Sequence, residues 1–95
     1  MRIKLSEGFR YILQSQVAYI ARDKPQAARK FKNRLLKEIK DISKMPFAHR
    51  RSIYFDSDSI RDLIFMGYVI TFRINGQKDV IEVFGLTKWQ EDLNA

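Results

Sequence analysis

A chain of 95 residues, 45% of them hydrophobic and carrying a formal net charge of +7, makes one domain (1–95) with a thin core, drawn largely from seven Phe and four Tyr. It has no cysteine and a single histidine, so disulfides, thiolate metal sites and a histidine-built zinc site are excluded, and no metal or organic cofactor is expected. No run approaches 18 apolar residues and no leader-like segment precedes the body, which gives the expectation of a soluble, cytoplasmic protein with no membrane partner.

In chain order, Arg2-Ile3-Lys4-Leu5 alternates and reads as a short strand. Ser6 is placed to cap a helix over residues 7–22, with Glu7 in its first turn and Phe9, Ile12, Leu13, Val17 and Ile20 at helical spacing. Asp23-Lys24-Pro25 breaks that helix and opens a second, whose Ala28, Phe31, Leu35, Ile39 and Ile42 form one apolar stripe. So short a break makes an antiparallel helical hairpin. Phe47–Arg51 reads as a loop, Ser52–Phe55 as a strand and Asp56–Ser59 as a turn. Ile60–Phe65 and Tyr68–Ile74 are β-rich arms around Met66-Gly67, with Phe65 set opposite Tyr68. Asn75-Gly76 signals another hairpin into Val80–Leu86, after which Thr87 is placed to cap a short tail at 88–93. The order β-α-α-β-β-β-β gives an α+β domain, with the helical hairpin on one face of a mainly antiparallel sheet.

The charge is uneven. Residues 22–51 hold eleven Lys/Arg against three Asp/Glu, whereas the rest of the chain holds seven against eight. The excess therefore falls on the second helix and the loop after it, and attracts either nucleic acid or an acidic protein. For any single Lys the plain alternative is a solvated helix face.

Several segments together resemble the RelE/ParE superfamily of bacterial toxins from type II toxin–antitoxin modules. They are Tyr19-Ile20-Ala21, Pro25-Gln26-Ala27-Ala28, Lys44-Met45-Pro46, Arg50-Arg51, the hairpin from Arg61 to Ile70, and Val80–Gly85 with a polar tail. The resemblance covers nearly the whole chain. It implies a small toxin that a neighbouring antitoxin wraps and neutralises. Two activities occur among such proteins: RelE-like members cut mRNA on the ribosome, and ParE-like members poison DNA gyrase without nuclease chemistry.

RNA scission needs groups that deprotonate the 2′-hydroxyl, steady the phosphorane and protonate the leaving oxygen. Carried over position by position, that set is thin here. The residue after Gly67-Tyr68, often Arg in the nucleases, is Val69. The strand before the turn offers Ile60 and Asp62 where lysines would serve, and a carboxylate there repels phosphate. The last strand runs into Lys88 and Trp89, with no Tyr or His after them. The remaining nuclease candidates are His49 as general base, Arg50, Arg51 and Lys44 as an anion clamp, and Arg61 and Arg73, one in each hairpin arm. For His49, Arg50 and Arg51 the alternative is an ordinary surface loop, and for Arg61-Asp62 a surface ion pair. A two-residue turn sets Arg61 and Arg73 on opposite faces, while a one-residue bulge sets them on the same one.

The long helices and the thin cleavage set make the chain look ParE-like, a toxin that inhibits DNA gyrase and is not an enzyme. Lys88, Trp89 and Gln90 are the expected target contact, unless Trp89 packs over the sheet edge. The antitoxin resembles an acidic, partly disordered tail that folds along the groove between helical hairpin and sheet. Tyr11 and Tyr19, eight positions apart, either line that track or belong to the core. The alternatives are a ribosome-dependent mRNA endoribonuclease and a small basic nucleic-acid-binding module.

Overall fold

The computed structural model describes residues 1–88, so Trp89 and Gln90 and the rest of the expected tail lie outside the described residues. Strand β1 (Arg2–Leu5) leads into helix α1 (Glu7–Ala21) and helix α2 (Pro25–Asp41); strands β2 (Arg50–Arg51), β3 (Ile60–Phe65), β4 (Tyr68–Asn75) and β5 (Val80–Lys88) follow. One five-stranded sheet has the order β1-β5-β4-β3-β2. β1 runs parallel to β5 and every other pairing is antiparallel. The helical hairpin carries the chain from β1 at one edge of the sheet to β2 at the other, and the antiparallel strands then return it to β5 beside β1.

The local signals act as expected at the first helix. The Ser6 hydroxyl accepts the Phe9 N–H at 3.0 Å, and Pro25 sits in the first turn of α2. Met66 and Gly67 both take positive φ, 48° and 81°. That is the two-residue turn whose twist suits a hairpin, and it pairs Phe65 with Tyr68. The second hairpin differs from its signal. Asn75 pairs with Val80, leaving a loop at 76–79 in which Asp79, not Gly76, is left-handed (φ 54°). The Asn75 side chain accepts the Lys78 N–H at 3.1 Å and stabilises this wider turn. Thr87 lies within β5, so it caps no helix.

A second correction concerns Ser52–Phe55. The strand falls earlier, at Arg50–Arg51; Ser52 still donates its N–H to the Ile60 carbonyl at 2.9 Å, and from Ile53 the segment turns away from the sheet. The cause is competition for backbone donors. The Ile53 N–H donates to Asp62 Oδ2 at 3.2 Å and the Tyr54 N–H to Ser52 Oγ at 3.2 Å, so neither is left for a ladder.

Phe9 and Leu13 of α1, and Phe31, Leu35 and Ile39 of α2, pack on Leu63, Phe65, Tyr68, Ile70, Phe72, Ile74, Ile81, Val83 and Leu86 of the sheet. The polar end of Tyr68 is satisfied within this layer, where the Gln16 amide donates to its hydroxyl at 2.7 Å. Burial raises the Tyr68 pKa, against the smaller lowering by that hydrogen bond. A register shift at Thr71/Phe72, opposite β5, leaves Phe84 as the extra residue of a bulge.

Candidate functional site

The unbroken register of the β3–β4 hairpin decides where the candidate arginines point. Arg61 pairs with Phe72 and shares its helix-facing side, while Arg73 pairs with Ile60 on the other face. The bulge lies between β4 and β5, so it does not bring the two arginines together. Arg61 is occupied by local structure: Nε donates to the Asp58 carbonyl at 2.9 Å, Nη1 donates to the His49 carbonyl at 3.1 Å, and the guanidinium lies over the Phe47 ring at 5.1 Å. The His49 ring stands edge-on to Phe72 with centroids 5.5 Å apart. Partial burial lowers the His49 pKa, an effect that the nearby Glu38 carboxylate opposes.

The other basic candidates are each held by a carboxylate. Arg50 Nη2 is 3.5 Å from Asp62 Oδ2, and Arg51 reaches both Asp56 (3.0 Å) and Asp58 (3.1 Å). Arg73 is 3.6 Å from Glu82 and lies over the Phe84 ring at 5.3 Å. Lys44 pairs with Asp41 at 3.2 Å. Of these residues, Arg51 borders a shallow cavity of about 370 Å³, which it shares with Asp56, Ile53, Tyr54 and Phe55. The structure thus joins Arg61 to the backbone of His49 and sets Arg73 on the far face.

Sequence reasoning gave Asp62 two readings, repulsion of phosphate and a surface ion pair with Arg61; in the structure its carboxylate is buried and its ionic partner is Arg50. Asp62 is 2% exposed and organises the outer face of β3. Its Oδ1 accepts the Thr71 hydroxyl at 3.0 Å, and its Oδ2 accepts the Ile53 N–H beside Arg50. A buried carboxylate persists only when paired and hydrogen-bonded in this way. The signal was present in the sequence, as a lone acid between Ile60 and Ile64 on the outward register of a β-rich arm.

A different concavity lies on the β1 side. Two adjoining cavities of about 450 and 590 Å³ share Leu5, Arg10 and Leu36. Their floor is apolar, from Ile3, Leu5, Leu13, Val17, Leu36 and Ile39, and their rim is cationic, from Arg2, Lys4, Arg10, Lys32 and Lys40. Among the described residues no acidic side chain lines either one. Among the described residues β1 is an edge strand, with one side of its backbone unpaired within the sheet. Tyr11 and Tyr19 are not core: they are 72% and 61% exposed and lie outside this groove, on the solvent side of α1. Lys88, at the end of β5, is exposed.

The architecture is that of a small α+β protein, with a helical hairpin on one face of a mainly antiparallel sheet. The family model described as the ParE toxin of the type II toxin–antitoxin system parDE matches residues 3–93, and the chain belongs to that family. Among solved structures it is similar to the chromosomal ParDE toxin–antitoxin system of P. aeruginosa, with 14% identity over 95% of this chain and 97% of the other and a TM-score of 0.78. It is also similar, at a TM-score of 0.57 and 14% identity over 95% and 84% of the two chains, to a mutant E. coli toxin RelE in complex with an antitoxin RelB peptide. At such identity the likeness shows the fold alone. No curated protein matches the chain in sequence. No helix among the described residues is long and apolar enough to cross a membrane.

Proposed function

We propose that this member of the ParE toxin family acts by binding and inhibiting a protein target, DNA gyrase, and not by cutting RNA. The observation that carries the reading is the separation of the cleavage candidates. Arg61 and Arg73 lie on opposite faces, and Arg50, Arg51 and Arg73 are each spent on a carboxylate. Steadying a developing phosphorane requires donors preorganised around one point and free to meet it. Purified chain in two assays tests this: gyrase supercoiling with trapped cleavage complexes, and mRNA integrity in a translating extract. Loss of supercoiling with intact mRNA is the expected pair. Intact supercoiling with cut mRNA overturns the proposal.

The antitoxin is assigned to the groove along β1. Its apolar floor and cationic rim suit an acidic amphipathic segment, and the open edge of β1 offers backbone hydrogen bonds to an extended one. Tyr11 and Tyr19 join this interface only where the partner continues across the outer side of α1. On the same reading Lys88 takes part in the target contact. The protein is assigned to the cytoplasm, where such a target and antitoxin are found.

A further inference from the structure

We propose that the outward face of α2 is a second binding surface, for the backbone of double-stranded nucleic acid. Arg29, Lys30, Asn33, Lys37 and Lys40 recur at steps of one, three or four residues, which places them on one side of α2, and Lys44 follows in the 3-10 turn after that helix. All six are exposed. From Arg29 to Lys40 the stripe extends about 17 Å, roughly five base-pair steps along a duplex strand. Among the described residues Arg29, Lys30, Lys37 and Lys40 have no carboxylate partner, and only Lys44 is paired, with Asp41. Glu38, the other acid of α2, lies on the flank that faces His49.

The composition of the stripe selects the ligand. It holds no aromatic residue, so it offers no platform on which unpaired bases stack. It also lacks apolar residues, so an acidic protein segment would gain charge pairing there but no buried surface to offset its ordering. The apolar track lies in the groove, to which α2 contributes Lys32, Leu36, Ile39 and Lys40. Only Lys40 is common to stripe and groove, so a duplex and an acidic partner can be held together. Phosphates of a duplex need only regularly spaced cations and a hydrogen-bonding amide, which the stripe supplies. Such contacts fix position and carry no sequence preference.

The test is fluorescence anisotropy of the full chain with a labelled duplex of about 20 base pairs of mixed sequence, titrated at salt from about 50 to about 200 mM. Log affinity is expected to fall linearly with log salt, with a slope of roughly −3 to −4 for four free cations. The Arg29→Gln, Lys30→Gln, Lys37→Gln triple variant is expected to lose at least about tenfold in affinity at the lower salt, with its thermal unfolding midpoint unchanged. Absence of duplex binding at about 50 mM salt, or equal affinity of the triple variant, overturns the inference. Displacement of the duplex by polyglutamate at equal charge also overturns it, and assigns the stripe to an acidic protein. These outcomes are independent of whether gyrase is the target.

Discussion

Between Arg50 and Asp62 three arginines stand among three aspartates, Asp56, Asp58 and Asp62, and the segment carries no net charge. Along α2 the cations of the outward face stand almost alone. Both regions are basic when residues 22–51 are counted as a block, because that block ends before the aspartates that take up Arg50 and Arg51. Cations available to a ligand are those left after the fold has used its own carboxylates. By that measure the sheet side is a framework and the helix face is a surface.

The largest effect is expected at the hub of the framework. Asp62→Ala removes the acceptor of Thr71 and of the Ile53 N–H and the partner of Arg50, and should cost about 2–3 kcal/mol in urea unfolding. Arg50 is 43% exposed and can turn to water, which keeps the loss below that of a fully buried pair. Next comes Gly85→Ala. A Cβ there would meet the Thr71 Cβ at 3.1 Å, and the overpacking should cost about 1–3 kcal/mol in the same measurement. If either change is silent, the outer face of β3 and β4 is not the rigid frame described above.

The helix face should respond in the opposite way. Lys30→Gln and Lys37→Gln should each leave stability within about 0.5 kcal/mol, since both side chains are exposed and neither has a carboxylate partner among the described residues. Denaturant midpoints that fall by more would show that the stripe is structural.

The smallest effect concerns His49, whose pKa burial lowers from 6.5. A group that binds its proton more weakly when folded stabilises the native state above its unfolded pKa and loses that contribution as pH falls. Stability should therefore decline modestly as pH drops below 6.5, and His49→Gln should flatten that part of the curve. A steeper decline in the variant would place the titration elsewhere.

The parts of the fold that local chemistry dictates were legible in the sequence: the Ser6 cap, the Pro25 start, the Met66-Gly67 turn and the periodic cores of both helices, apart from Ile12, which is 40% exposed. Ser52–Phe55 was not, because its apolar, aromatic composition suits a strand and the override comes from an aspartate nine positions beyond Ile53. The wide loop at 76–79 was missed for a related reason, since the Asn75 side chain holds a turn that the Asn-Gly pair alone does not specify. Of the site, the basic character of α2 could be read directly. The pairing of the arginines could not, because it depends on register: Arg50 opposite Asp62, and Arg73 opposite Glu82. Tyr11 and Tyr19 show the limit of periodicity, since their shared stripe on α1 turned out to face solvent.

The division between spent and free cations is tested most directly by comparing two variants in the salt dependence of duplex binding. One carries Arg51→Gln and Arg73→Gln, and the other Arg29→Gln, Lys30→Gln and Lys37→Gln. The account predicts that the first retains the full slope and that the second loses roughly 2.7 units of it. An equal or greater loss from the sheet-side pair would contradict the claim that those arginines are already taken.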